Sequence, residues 1–243
     1  MKLIQRKKKD VSTDKAKNVI GNDSKFAIVE GYKIARTNLV FSLTAMESNS
    51  VAVTSWSKGE GKSTATVNLA ISFAKMGKRI LLIDTDLRRP NLHNLLKLRN
   101  ESGVSDIIAQ FGDFEEAVHR DVIPCLDVLT SGAIPPNPSE LLASPYFAEL
   151  IKKAKAEYDY VIMDTPPLGV VADTLLLKEF VGGYVLVVRE KVTSHGDIER
   201  ALQSIRLADS KVLGFLKVGC EMRGKGYKKL GYNGYGYGYY YKY

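Results

Sequence analysis

The sequence predicts an α/β domain with a mostly parallel sheet flanked by helices. Short apolar segments alternate with longer segments of helical periodicity along most of the chain. The apolar segment 79–83 shows no polar alternation, which is typical of a strand covered on both faces of a parallel sheet. Strands that alternate with helices are joined by right-handed crossovers. We therefore predict one domain at residues 26–222, between a flexible basic arm at 1–25 and a disordered Gly/Tyr-rich tail at 223–243.

Composition and charge exclude several classes of protein. With 243 residues, 26% charged and 45% hydrophobic, the chain fits a soluble globular protein with ample core. It has no run of 18 apolar residues and no signal-peptide core, so we expect a cytoplasmic protein. The net charge of +8 is concentrated near the two ends, which favours a membrane surface or an acidic partner over nucleic acid. Cys125 and Cys220 are expected to be reduced core residues, and the three histidines lack the spacing of a structural metal site.

The first half of the chain contains alternating predicted helices and strands. The helical spacing of Ile34, Leu39 and Leu43 predicts a helix over 28–46, with Phe41 filling in its apolar side. The later predicted elements of this half are a strand at 51–54, a helix that ends near Met76 before Gly77, a strand at 79–83, and short helices at 104–109 and 114–118.

The second half continues the same alternation. Ser139 is a plausible N-cap for a helix that runs towards residue 156 after a proline-rich turn. The remaining predicted elements are strands at 126–129, 158–163, 181–188 and 212–218, and a helix at 195–207.

A glycine-rich segment after the first predicted strand matches a phosphate-binding loop. It reads Gly59-Glu60-Gly61-Lys62-Ser63-Thr64. The two glycines would let the backbone aim successive N–H groups at one anion, and the N-terminus of the following helix adds its dipole. Lys62 would contact the β- and γ-phosphates, and the Ser63 hydroxyl would hold Mg²⁺. The strict pattern has glycine where Trp56 stands, so a glycine-rich turn without a ligand is the alternative.

Carboxylates follow two other predicted strands. Asp84 and Asp86 come at the end of strand 79–83, and their spacing of two makes them point the same way. Asp164 ends the strand at 158–163. In a parallel sheet these ends share one edge with the phosphate loop. The combination predicts nucleoside-triphosphate chemistry, with three carboxylates to orient a metal ion, water or an incoming hydroxyl.

The C-terminal tail differs abruptly in composition from the rest of the chain. It holds eight of the 13 tyrosines with six glycines and almost no aliphatic residues, so it cannot build a core. The tyrosines are candidate phosphate acceptors, whereas a structural or adhesive role is the alternative. The eight acceptor candidates are Tyr227, Tyr232, Tyr235, Tyr237, Tyr239, Tyr240, Tyr241 and Tyr243.

These motifs together resemble those of the bacterial tyrosine kinases, and most of all the cytoplasmic kinases of Gram-positive capsular and exopolysaccharide systems. The phosphate loop, the segment Asp84-x-Asp86-x-Arg88-Arg89-Pro90 and the segment Ile162 to Pro167 look like that family's Walker A, A′ and B motifs. The resemblance implies a P-loop NTPase fold of the deviant-Walker, MinD/ParA-like kind. It also implies a protein-tyrosine autokinase that uses ATP and Mg²⁺, phosphorylates its tail in trans and regulates polysaccharide synthesis and export.

The resemblance assigns roles to the residues at the predicted sheet edge. Asp84 would be the base for a tyrosine hydroxyl, while Asp86 and Asp164 would help to hold metal and water. The implied Mg²⁺ ligands are Ser63, Asp84, Asp86 and Asp164, and the implied ATP-binding residues are Gly59, Glu60, Gly61, Lys62, Ser63 and Thr64.

The resemblance also implies partners. Glu30, Lys33 and Arg36 look like the family's Glu-x-x-Arg-x-x-Arg oligomerisation segment, which builds a ring, although Lys33 stands where the family has arginine. A solvated helix face is the simpler reading of the same residues. A transmembrane chain-length regulator is the expected activator and would recruit the kinase to the inner face of the membrane. A cognate tyrosine phosphatase is expected as well.

Two rival functions share parts of this pattern. A partition or division-site ATPase would have a signature lysine five residues before the loop lysine, where this chain has Ser57. The tail and the Asp86-x-Arg88 element also argue against that rival. A scaffold gated by nucleotide, whose tail only binds partners, is the second rival.

Overall fold

A seven-stranded sheet forms the centre of the computed structural model, which describes residues 18–21 and 23–220. The strand order is β3-β4-β2-β5-β1-β6-β7, where the strands are β1 Ser50–Ser55, β2 Ile80–Asp84, β3 Val118–Ile123, β4 Leu126–Leu129, β5 Tyr160–Asp164, β6 Tyr184–Arg189 and β7 Val212–Val218. Neighbouring strands are parallel except for β3 and β4, which pair antiparallel. The predicted α/β class and the mostly parallel sheet are therefore confirmed.

Helices cover both faces of this sheet. They are α1 Phe26–Ala45, α2 Lys62–Ala74, α3 Leu92–Leu96, α4 Val104–Ile108, α5 Phe114–Ala117, α6 Pro138–Leu142, α7 Pro145–Glu157 and α8 His195–Leu207, together with a 3₁₀ helix at Asp173–Glu179. Residues of α1, α2 and α3 share one hydrophobic cluster with the sheet, while those of α4, α5 and α7 share the cluster on the other face.

The central strands are buried on both sides, which explains their unbroken apolar character. Along β2, Leu82 packs in the cluster with α2, whereas Leu81 and Ile83 pack in the cluster with α7. Every residue of β1 and β2 is buried. In a strand with two covered faces, all side chains are buried, so apolar residues are favoured at every position. The sequence therefore lacks the alternation of apolar and polar residues that a half-exposed strand shows.

The structure divides the helix that the sequence predicts at 139–156. It ends α6 at Leu142 and begins α7 at Pro145, with Ser144 as the N-cap whose Oγ accepts a hydrogen bond from the Phe147 N–H at 3.3 Å. Proline disfavours a helical conformation at the preceding residue, and this separates the two helices. The prediction of Ser139 as N-cap was therefore wrong, since Ser139 lies inside α6.

Other differences concern short or amphipathic elements. Three elements of five to seven residues, β3, α3 and the 3₁₀ helix, were not predicted, because their sequences show no clear periodicity. In α1, Leu39 and Leu43 are buried as predicted, but Ile34 and Phe41 are 63% and 70% exposed. Both cysteines are free as expected, yet Cys125 is only partly buried and Cys220 is exposed, so neither is a core residue.

The arm and the tail fall mostly or wholly outside the part of the chain that the structure describes. The eight tail tyrosines lie there, as do the basic residues at 6–9. Among the described helices, none has the length and apolar content required to cross a bilayer.

Candidate active site

The predicted phosphate-binding loop lies between β1 and α2, as expected from the sequence. Gly59 and Gly61 have φ angles of 82° and 89°, which residues with a Cβ rarely adopt. Gly61 is the residue before α2, so the N-terminus of this buried helix faces the loop. This geometry places backbone N–H groups and the positive end of a helix dipole at one point, as an anion site requires.

Trp56, which occupies the place of the first glycine of the strict pattern, packs outside the loop. A Cβ on Gly169 would lie 2.7 Å from its indole, so the two residues are in close contact. The Arg200 guanidinium of α8 lies 5.4 Å from the centre of the same ring. The tryptophan therefore fills a space between the loop after β5 and α8, and the loop closes without the first glycine.

Glu60 braces the loop and turns its side chain away from the cavity. The residue is 1% exposed, and its Oε2 accepts a hydrogen bond from the Ser57 N–H at 2.8 Å. Its Oε1 accepts a hydrogen bond from the Thr193 hydroxyl, which in turn accepts the Arg189 N–H at 2.8 Å. The loop is thus tied to the segment between β6 and α8.

Lys62 is a buried cation surrounded by the predicted site residues. Its Nζ lies 2.8 Å from Asp164 Oδ1, 3.3 Å from Ser63 Oγ and 3.8 Å from Asp86 Oδ2. The Lys62 and Asp164 side chains are only 8% and 1% exposed. The ammonium therefore balances the negative charge of the two carboxylates.

Parallel pairing brings the two acidic strand ends together. Asp84 of β2 lies opposite Asp164 of β5, which is also the partner of Val53 in β1. Thr66 of α2 places its Oγ 3.0 Å from Asp164 Oδ1. Asp164 Oδ2 is buried and has no hydrogen-bond partner among the described residues. This orphaned oxygen is available to a metal-bound water or to a metal ion.

Asp84 is fully buried and is held by the backbone that follows it. Its Oδ2 accepts the Asn91 and Leu92 N–H groups at 3.0 Å, and its Oδ1 accepts the Asp86 N–H at 3.2 Å. Burial, together with the charge of Asp164, raises the pKa of Asp84 to about 7. A carboxylate with such a pKa is suited to take a proton near neutral pH.

Asp86 faces the cavity in front of the loop. Its Oδ1 accepts the Arg89 N–H at 3.1 Å, and its Oδ2 points towards Lys62. Burial raises its pKa in spite of the opposing charge of Lys62. Of the three aspartates, Asp86 lines the cavity, while Asp84 and Asp164 lie behind it.

A cavity of about 640 Å³ opens over the loop and is large enough for a nucleotide. Five of the six predicted ATP-binding residues line it, and Glu60 is the exception. The cavity is also lined by Arg88, Arg89 and Arg189, which the sequence analysis did not assign to nucleotide binding. Their cationic side chains suit a polyphosphate.

The available donors fit Mg²⁺ together with a nucleotide. No group of three or more His, Cys, Asp or Glu side chains in the described chain forms a metal cage. Mg²⁺ in nucleotide sites does not need one, because it keeps several waters and takes oxygen atoms from one or two carboxylates and the substrate phosphates. Ser63 Oγ, Asp86 and the orphaned Oδ2 of Asp164 supply oxygen atoms of this kind.

The predicted oligomerisation residues make contacts within the chain. Lys33 Nζ donates to Glu30 Oε1 at 2.6 Å, which is the ion pair of a solvated helix face. Arg36 Nη1 donates to the carbonyl of Ser72 in α2 at 2.8 Å. Its Nε is buried without a hydrogen-bond partner in the described residues.

The chain is similar to a known domain family and to tyrosine-protein kinases of other bacteria. A family model described as "AAA domain" matches residues 48–212. The chain is 42% identical over 193 residues to the tyrosine-protein kinase YwqD of Bacillus subtilis (strain 168), covering 79% of this chain and 81% of the relative. It also matches the putative tyrosine-protein kinase EpsB of Ralstonia solanacearum at 36% identity, but spans only 27% of that longer protein.

Two solved structures are similar to this fold. The kinase domain of Escherichia coli tyrosine kinase ETK has a TM-score of 0.77 and 32% identity, with 87% of this chain and 80% of that chain covered. The septum site-determining protein MinD of Pyrococcus horikoshii OT3, solved with Mg-ADP, has a TM-score of 0.58 and 24% identity, with 69% and 68% covered. The second likeness concerns the fold alone, which is that of the P-loop NTPases.

Proposed function

The chain belongs to the bacterial tyrosine-protein kinases, and on that premise we propose that it uses Mg²⁺ and ATP to phosphorylate the tail tyrosines of a neighbouring copy. The observation that carries this proposal is the position of Lys62 at the floor of the cavity. Its ammonium lies between Asp164 and Asp86, beside the Ser63 hydroxyl. A positive phosphate loop thus adjoins buried carboxylates, one of which has an unused oxygen.

Each residue has a proposed task. Gly59, Gly61 and Thr64 shape the cradle for the phosphates, and Lys62 moves from Asp164 to the β- and γ-phosphates. Ser63 and the carboxylates hold Mg²⁺, which supplies the divalent charge that offsets the negative charge of the phosphates. This assignment of ligands includes Asp84, Asp86 and Asp164, with Asp86 nearest the cavity.

Proton transfer is the task of an aspartate. A tyrosine hydroxyl has a pKa of about 10, so a base must accept its proton as the oxygen attacks the γ-phosphorus and the bond to ADP breaks. We assign this role to Asp84, because burial raises its pKa to about 7. Since Asp84 is fully buried and does not line the cavity, the segment up to Asn91 has to move before the hydroxyl reaches it.

The tail tyrosines are the proposed substrates. The eight tyrosines after Arg223 have a single aliphatic residue among them, Leu230, and they follow a predicted nucleotide site in the same chain. Each phosphate adds about −1.5 to −2 charges at neutral pH, so several would invert the charge of this basic segment. We expect multiple phosphorylation to loosen assembly between copies, and unchanged elution in size-exclusion chromatography would argue against this.

Partners complete the proposal. Self-association through Glu30, Lys33 and Arg36 would present one copy's tail to the next. A membrane-bound chain-length regulator would activate the kinase at the inner face of the membrane, a tyrosine phosphatase would reverse the reaction, and the pathway controlled would be capsular or extracellular polysaccharide synthesis and export. The basic residues at 6–9 suit an anionic membrane surface, whereas no nucleic-acid partner is expected.

An anti-phosphotyrosine blot with Mg·ATP tests the proposal. It compares the full chain, Lys62→Met and a chain that ends at Met222, each with and without membranes from the source cell. Signal in the full chain alone, increased by membranes, is the expected result. ATP hydrolysis without phosphotyrosine in any sample would instead favour a switch ATPase.

A further inference from the structure

Arg88 joins the two loops that carry the acidic residues of the site. Its Nε donates to Asp173 Oδ2 at 2.6 Å, and its Nη2 donates to Asp173 Oδ1 at 3.1 Å. Arg88 follows Asp86 by two residues, while Asp173 begins the 3₁₀ helix after the loop that leaves Asp164. This pair of parallel hydrogen bonds fixes distance and orientation together, which a single contact cannot do.

Ser139 of α6 closes the contact into a triangle. Its hydroxyl donates to Asp173 Oδ1 at 2.7 Å and accepts the Arg88 Nη2–H at 2.8 Å. The Asp173 side chain is 4% exposed, whereas that of Arg88 is 41% exposed. Burial raises the pKa of Asp173, but the hydrogen bonds from Arg88 and Ser139 outweigh it and hold that pKa below its ordinary value. The buried carboxylate is therefore charged and fully engaged.

Two other cations that line the cavity, Arg189 and Lys62, make different contacts. Arg189 makes one contact with the loop, from Nη1 to the Gly59 carbonyl at 3.5 Å. Lys62 contacts the carboxylates of the site itself. Arg88 alone of these three directs its guanidinium to an acidic residue outside the phosphate loop and the three strand-end aspartates.

We propose that Arg88, Asp173 and Ser139 form a positioning clamp that holds the loop after β2 against the loop after β5, so that Asp86 faces the cavity. Its kinetic consequences rest on the proposed kinase function, but its structural consequence does not. Arg88 is then a positioning residue that acts through Asp173. The competing explanation is that Arg88 leaves Asp173 and contacts the transferring phosphate directly.

A double-mutant cycle separates these explanations. We compare Arg88→Ala, Asp173→Asn and the double variant, and measure kcat and the KM for ATP. The clamp predicts that each single change lowers kcat by up to about 100-fold, the loss that a 1 Å misplacement can cause, with the KM for ATP changed by less than about threefold. The double variant should be no worse than either single one, because both changes break the same contact.

Conservative variants provide the second test. Arg88→Lys should rescue poorly, since an ammonium cannot make two parallel bonds to one carboxylate. Ser139→Ala keeps both Arg88–Asp173 hydrogen bonds, so it should lose less activity than Arg88→Ala or Asp173→Asn. If Arg88→Ala loses far more activity than Asp173→Asn, and the losses multiply in the double variant, then Arg88 acts on the substrate and the clamp is overturned.

Hydrogen exchange measured without nucleotide does not depend on kinase activity. It therefore tests the clamp separately from the proposed function. Hydrogen exchange of the full chain without nucleotide should show faster amide exchange at residues 85–91 in Arg88→Ala and Asp173→Asn, with exchange in the central strands β1, β2 and β5 unchanged. Arg120→Ala, which breaks an ion pair to Asp127 at the β3 edge, is the matched control and should leave residues 85–91 unchanged. Exchange at 85–91 equal to that of the unaltered chain would overturn the clamp, whether or not phosphotyrosine is formed. If Asp173→Asn does not fold, Ser139→Ala takes its place, with a smaller increase expected at the same residues.

Discussion

Replacing Lys62 by methionine should destabilise the nucleotide-free protein, besides abolishing phosphate binding. The Nζ–Oδ1 distance to Asp164 is 2.8 Å, and both side chains are nearly inaccessible to water. Methionine keeps the aliphatic stem and removes the charge, so Asp164 is left buried without its cation. Breaking a buried ion pair on one side costs about 3–5 kcal/mol.

The size of the effect is measurable by thermal unfolding. In a domain of this size, each kcal/mol shifts the midpoint by about 2–4 °C, so Lys62→Met should unfold roughly 6–20 °C below the unaltered chain. Circular dichroism of both proteins without nucleotide or Mg²⁺ gives the comparison directly. Adding Asp164→Asn should recover much of the loss, because the double variant no longer buries an uncompensated charge.

Lys217→Met is the control for this experiment. Lys217 forms an exposed pair with Glu190 at 3.2 Å on the outer strand β7. Surface pairs contribute about 0–1 kcal/mol, so the midpoint should fall by less than about 4 °C. If Lys62→Met unfolds within about 2 °C of the unaltered chain, the ammonium is hydrated in the absence of nucleotide and the reasoning is refuted.

Three further predictions concern the loop and the aspartates. Asp84→Asn should lower autophosphorylation about 10²- to 10⁴-fold while ADP affinity, measured by calorimetry, is kept; a larger loss in Asp86→Asn would move the base to Asp86. Gly61→Ala forces a side chain into a φ of 89°, so the free energy of unfolding, measured with denaturant, should fall by about 1–2 kcal/mol. Gly214→Ala, in β7 with open space around it, should not lower the free energy of unfolding; an equal loss in both variants would contradict the strain argument. Thr193→Val removes the hydroxyl that donates to buried Glu60 and should lower the unfolding free energy by about 1–3 kcal/mol, whereas Thr193→Ser should restore it; equal midpoints for all three proteins in denaturant unfolding would exclude the brace.

Much of the fold follows from local patterns in the sequence. The helix at 195–207 and the strands at 126–129 and 212–218 were predicted with the bounds that the structure has. The helix shows a clear helical periodicity, and the two strands are apolar segments whose ends are marked by polar or turn residues. The antiparallel edge strand β3 could not be predicted in this way, because its residues are mostly exposed or partly exposed and include charges, so it lacks an apolar pattern.

The candidate site was predicted in part for the same reason. Glycine, lysine and aspartate at the ends of buried strands are local features, and parallel strands bring such ends to one edge. The role of each individual residue was harder to predict from the sequence. Glu60 was assigned to ATP binding as one of six loop residues, yet its side chain points away from the cavity to Thr193. Whether a loop side chain faces the ligand or the protein depends on neighbours that sequence spacing does not specify.

The sequence by itself determined the α/β class, the phosphate loop and the acidic strand ends, since each depends on residues close together in the chain. Only the tertiary structure decided which charges meet. Lys62 and Asp164 are 102 residues apart, Arg88 and Asp173 are 85 apart, and Glu60 and Thr193 are 133 apart. Strand register and the path of the connecting loops bring these pairs into contact. The spacing of apolar residues in the sequence shows which face of a helix or strand is buried. The partner of a buried charge depends instead on how distant segments pack across the whole sheet.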